Sequence, residues 1–173
     1  AGPAVAMLLA DLGATVVHID PPGGDMWDSP ATAILNRNNL IVSIDLKSQE
    51  GLERAHALCT EADILVENFR PDKLKNLGID FVQMRIERPE LITLSLPGFA
   101  SNDPVRRNWR AFESVVAATS GVFTDMGLNR VLMGVNPSFS PLPLASAYSA
   151  QIGASSVVLA LQSRQLTGVG DQI

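Results

Sequence analysis

Three stretches of this chain carry residues with chemical scope: "PLASAYSA" (143–150), "RAFESVVAATSG" (110–121) and "VENFRP" (66–71). Ser146 stands among small side chains at the start of a long apolar run. A hydroxyl in that setting is either a reactive group or a small residue that partly caps a closely packed helix. A nucleophilic serine needs a base, and the only histidines, His18 and His56, fall within a strand-like run and in mid-helix. Glu113 opens a helical stretch, where the helix dipole favours a carboxylate. Glu67, Asn68, Phe69 and Arg70 close an apolar strand. Phe69 could stack on a flat ring or turn into the core, and Arg70 could grip a phosphate through two parallel hydrogen bonds. Arg37 and Lys73 add local positive charge, although solvated surface positions explain them equally well. Gly2 and Pro3 open a helix whose free N–H groups favour an anion, and proline is also an ordinary first-turn residue. No set of His, Cys and carboxylates has metal-ligand spacing, so no metal is expected.

The elements that must position these residues alternate between strand and helix. Helical patterns cover 3–13, 48–62 (Ser48 as N-cap), 72–78, 81–88, 109–120 and 144–164. Short apolar runs at 14–19, 40–46, 63–69 and 91–99 read as strands. Residues 121–143, rich in Gly, Pro, Asn and Ser, read as a long loop, and "TGVG" (167–170) as a helix end turning into a strand. Such alternation predicts an α/β fold, a mostly parallel Rossmann-like sheet with helices on both faces. Ligands then bind beyond the C-terminal strand ends: "HIDPPGGD", "IDLK", "VENFRP" and "LPGFASND". The glycines of "DPPGGD" make a turn and lack the G-x-G-x-x-G spacing of a dinucleotide fingerprint, which argues against an oxidoreductase.

Composition narrows the partners. At 173 residues, 46% hydrophobic and 18% charged, the chain can bury a substantial core. A net charge of −5 speaks against nucleic acid, which needs concentrated basic surface, but leaves room for a small phosphate-bearing ligand in a local basic pocket. The lone cysteine, Cys59, is expected to be a buried helix residue and fits a reducing, cytoplasmic compartment. No stretch is read as reaching the ~18 apolar residues of a membrane span, so no membrane partner is expected. The chain starts "AGPAVAMLL" and ends "GVGDQI" in a strand-like run; both ends are read as cut, making residues 1–173 one domain of a longer polypeptide.

Taken in order, "AGP…LADLGATVVHIDPPGGD", "NRNN…SIDLK", "ADILVENFRPDKLKNLGID", "PELITLSLPGF" and "SRQLTGVGDQI" resemble the family III CoA transferases. This group includes formyl-CoA transferase, carnitine CoA transferase and the α-methylacyl-CoA racemases. The likeness runs along essentially the whole chain. It implies the large Rossmann-like domain of such an enzyme, with a first strand before Ala1 and a second domain elsewhere. It also implies a homodimer or a fused pseudo-dimer, and coenzyme A or acyl-CoA together with a carboxylic acid as substrates. In the family an aspartate attacks the thioester, giving an anhydride and then an aspartyl-CoA thioester.

The resemblance places that aspartate at Ser146, where a serine would give a stable ester. Asn39 and Leu40 stand where the family often has a basic pair. The racemase histidine falls on Phe112 and its acid partner again on Ser146. For CoA, the resemblance points to Glu67, Asn68, Phe69 and Arg70 at the adenosine, with Gly2, Pro3, Arg37 and Lys73 as further contacts. Two readings follow. An active CoA transferase would use another carboxylate, Glu67, Glu113 or Asp125. A degenerate CoA-binding half would support an active one in a fused protein.

Overall fold

The computed structural model describes residues 1–24, 29–124, 132–134, 136–137 and 139–173. Asp125, and much of the expected 121–143 loop, lie outside the described residues. The elements run α1 (Gly2–Asp11), β1 (Val16–Asp20), α2 (Pro30–Leu35), β2 (Asn39–Ser43), α3 (Gln49–Glu61) and β3 (Ile64–Glu67). They continue with α4 (Lys73–Asn76), α5 (Phe81–Glu87), β4 (Ile92–Ser95), α6 (Glu113–Thr119) and α7 (Leu144–Thr167). Every expected strand and helix is present within a few residues of its predicted limits, except that the final run is reduced to one bridge. Helix α2 was not expected. It is short, and Ser29 caps it by accepting the Ala31 N–H at 3.3 Å, with Pro30 in the first turn.

Among the described residues all strand pairing is parallel, as alternating strands and helices predict. β1 pairs with β2, β3 pairs with β4, and a parallel bridge from Thr93 to Gln172 is what the final "GVGDQI" run contributes. The described strands therefore form two pairs rather than one continuous sheet, because no described strand bonds the free edges of β1 and β3. Helix α1 touches β1, β2 and β3.

Side chains alternate across β3, so its two faces feed two cores. Leu65 joins Ile44, Ala55, Cys59, Ile79, Met84 and Leu91 beneath α3 and α5. Ile64 and Val66 lean instead on the cluster of Val5, Leu9, Leu94, Ala150, Ala154 and Val157, where α1, β4 and α7 meet. Cys59 is buried in α3, as its place in the helical pattern predicts, and burial pushes its thiol pKa up.

Two expectations about α7 change. The helix has 24 residues and is long and apolar enough, by length and composition, to cross a membrane; alanines and uncharged Ser and Gln extend the apolar run past the limits read from sequence. In the fold one side of it is the close-packed core helix that the small residues of "PLASAYSA" suggested. A Cβ on Gly153 would lie 3.2 Å from both Val5 Cγ2 and Leu94 Cδ2. The other change concerns its start: the N-cap is Pro143, which makes no side-chain cap bond, and Ser146 does not cap the helix either.

Candidate functional site

The N-terminus of α7 is capped from another helix. Glu113, the first residue of α6, accepts the Ala145 N–H at 2.7 Å and the Ser146 N–H at 2.9 Å. The Ser146 hydroxyl donates to the same carboxylate at 2.6 Å. Glu113 thus stands in the first turn of its own helix, as the sequence suggested, and also serves the N-terminus of α7. Burial pushes its pKa up, but the hydrogen bonds from Ser146 and Ala145 outweigh that and hold it below the ordinary glutamate value. The donors at this helix start are already spent, the Ala145 and Ser146 N–H groups on Glu113 and that of Leu144 on the Leu142 carbonyl.

This pair forms one wall of a pocket of about 130 Å³, lined also by Asn68, Gly98, Ala111 and Ser149. Gly98 belongs to "LPGF" at the end of β4, and a Cβ on it would overlap the Ala111 side chain. Glycine is therefore what lets the 97–98 turn lie against the approach to α6. Asn68, just beyond β3, covers Gly2 so closely that a Cβ there would sit 3.2 Å from Asn68 Cγ. The pocket has room for a small reacting group and is well below the ~300 Å³ at which ligand pockets usually begin. A larger hollow of about 400 Å³ lies between α7 and residues 171–173, away from every expected site residue.

Of the residues singled out from sequence, Asn68, Glu113 and Ser146 come together in the pocket, and Gly2 lies against Asn68 outside its lining. Pro3 does as expected of a first-turn proline in α1. Glu67 accepts the Phe69 N–H at 2.6 Å, and its pKa is raised by burial against the opposing pull of hydrogen bonds from Ser95 and Phe69. Phe69 is 37% exposed rather than turned into the core. Arg70 donates to the Asn108 carbonyl at 3.0 Å. Arg37 stands apart from the pocket: the Nε and Nη2 of its guanidinium bind Asp11 at the end of α1, an ion pair that holds the Asp11 carboxyl below its usual range, and Nη1 donates to the Ile34 carbonyl. Lys73 opens the short α4. The histidines are engaged elsewhere, His18 with Asp20 at 3.2 Å and His56 with the Gly78 carbonyl at 2.8 Å. Gly98, Ala111 and Ser149 were not foreseen as lining; the sequence signal for the first was its place in the strand end "LPGF".

Residues 1–173 match the family described as CoA-transferase family III. The chain belongs to that family. It is 66% identical over its whole length to the CoA-transferase/lyase DddD of Marinomonas sp. (strain MWYL1), of which it spans 21%. It is 31% identical to the succinyl-CoA–L-malate CoA-transferase alpha subunit of Chloroflexus aurantiacus, spanning 42% of that protein. Among solved structures, a CAIB/BAIF family protein from Brucella suis superposes with a TM-score of 0.87 at 27% identity, with all of this chain and 48% of that one covered. The orthorhombic form of Rv3272 from Mycobacterium tuberculosis gives 0.86 at 28% identity, covering 100% and 49%. This family III domain thus spans less than half the length of each of these relatives.

Proposed function

We propose that this chain is a CoA-binding unit of a larger family III CoA transferase, and that it has lost the nucleophile. The reading takes Ser146 as the counterpart of the family's aspartate, as the resemblance implies, and one observation supports it: the Ser146 hydroxyl is already given to Glu113, at 2.6 Å. A carboxylate nucleophile yields anhydride and thioester adducts reactive enough to turn over, whereas a serine yields a stable ester. Glu113 is also a poor base for activating that serine, because hydrogen bonds hold its pKa below the ordinary value. Glu67 is committed to the backbone of Phe69.

On this reading the strand end after β3 presents Phe69 to the adenine of CoA, while the pocket at Asn68, Gly98 and Ser146 takes the thioester end. The 66% identity to a CoA-transferase/lyase almost five times as long supports a multi-unit polypeptide in which another unit carries the attacking aspartate. The carboxylic acid that exchanges with the acyl-CoA is bound and turned over by that whole protein. Assembly as a homodimer or fused pseudo-dimer and a cytoplasmic location belong to the same proposal, the latter supported by the lone buried cysteine.

The test uses the full chain. Calorimetric titration should show saturable CoA binding that Phe69→Ala weakens. After incubation with an acyl-CoA, mass spectrometry of the peptides bearing Ser146 and Glu113 should find both unmodified. An acyl or CoA adduct on either residue overturns the loss of chemistry, and CoA binding indifferent to Phe69→Ala overturns the binding site.

A further inference from the structure

Beyond the strand end of β3, two loops hold one another by reciprocal arginine contacts. Arg70 reaches from the β3–α4 loop to the Asn108 carbonyl at 3.0 Å. Arg107 reaches back from the 97–112 loop to the Asp72 carboxylate at 2.6 Å. Asp72 stands at the N-cap position of α4 with a left-handed φ of 63°, yet its carboxylate makes no cap bond and is given to Arg107 instead. The clasp ties the 97–112 loop to the β3–α4 loop through two arginines, and Lys73 follows Asp72 in the chain. Among the described residues the Arg107 Nε is buried without a hydrogen-bond partner. A buried donor left unpaired is costly, so a ligand that draws this side chain toward it and pairs the Nε would relieve that cost. Its side chain is 35% exposed, which leaves it reachable from solvent. Exposed aromatic rings adjoin the clasp in sequence on both loops: Phe69 at 37% and Trp109 at 44%, the latter held edge-on to Phe99 at 5.8 Å.

An arginine with one donor unpaired, beside exposed aromatic rings, suits a nucleotide phosphate. We propose that Arg107, supplied by the 97–112 loop, is a phosphate-binding residue for the nucleotide end of CoA, with Asp72 holding it in place until the ligand arrives. The inference rests on the CoA-binding reading above and adds a residue and a competing carboxylate to it. No bond is made or broken covalently. The phosphate accepts from the arginine, and Asp72 gives up part or all of its share.

Calorimetric titrations of the full chain with CoA, 3′-dephospho-CoA and pantetheine test this. Arg107→Gln should weaken CoA roughly tenfold, the loss of one charge-assisted contact, and leave pantetheine unchanged. If the 3′-phosphate is the partner, dephospho-CoA is also unaffected; if the diphosphate is, dephospho-CoA weakens with CoA. Asp72→Asn breaks the same ion pair without removing the cation. It should hold CoA affinity or raise it roughly threefold, because more of the protein then has a free arginine. Unchanged CoA affinity in Arg107→Gln overturns the proposal, as does an equal loss for pantetheine or an Asp72→Asn loss that matches it. Each of those results leaves wild-type CoA binding and its dependence on Phe69 intact, so failure here is distinct from failure of the CoA-binding reading.

Discussion

Glu113 and Ser146 show how a side chain's meaning depends on its partner. From sequence each is either a reactive group or an ordinary helix-start residue; in the fold one carboxylate takes the Ala145 and Ser146 N–H groups and the Ser146 hydroxyl at the start of α7. A glutamate whose folded pKa is depressed stabilises the protein above the ordinary value of about 4.3, and that contribution is lost as pH falls through the lower folded value. Glu113→Gln should therefore lower the melting temperature at pH 7, with a deficit of about 1–2 kcal/mol as for a lost cap. The deficit should close in acid, which thermal melts across pH would show. Ser146→Asp sets a second carboxylate against Glu113, and like charges so close cannot both ionise cheaply. The variant should melt lower than the wild type at neutral pH, and adding Glu113→Gln should restore much of the loss. A double-mutant cycle by denaturant melts measures that coupling.

Secondary-structure elements here owe their placement to long-range polar ties as much as to periodicity. Ser48 and Asp80 cap α3 and α5 as local signals, the first of them read directly from sequence. The far end of α3 is another matter. Arg88, after α5, donates to the carbonyls of Cys59, Thr60 and Ala62, satisfying the orphan acceptors of that helix end. Arg88→Met keeps the stem and removes these bonds; it should cost about 2–3 kcal/mol by chemical denaturation, in the range for hydrogen bonds from a charged donor. Nothing local in "RIERPE" announces this, because the acceptors lie 26 to 29 residues earlier in the chain. The clasp made by Arg70 with Asn108 and Arg107 with Asp72 has the same character: the sequence offers Arg70 as a phosphate contact and says nothing of the partners that both arginines meet once β3 and β4 lie side by side.

The molecule as a whole is organised around α7, which packs on α1, α6 and β4. Its small residues let those elements close together, and Gly153 marks the tightest approach. Gly153→Val would wedge α7 from Val5 and Leu94, and a cost of about 1–3 kcal/mol is expected from overpacking, read as a fall in denaturant midpoint. Closing these elements together also builds the pocket, since Glu113 on α6, Ser146 on α7 and Asn68 beyond β3 meet only when they are packed. The same packing explains why an apolar 24-residue helix has a core-facing side lined by Ala150, Gly153, Ala154 and Val157.

Periodicity and turn residues were enough to read the α/β class, nearly every element and the strand ends that border the pocket, because those are local consequences of side-chain pattern and backbone preference. The ordered motifs carried the family. Which charges stay free and which are consumed could not be read that way: Arg37 goes to Asp11, Glu113 to the start of α7, Arg107 to Asp72. Hydrogen bonds and ion pairs are contacts of a few ångströms between groups 26 to 35 residues apart, and only packing of the strands and helices brings such groups within reach.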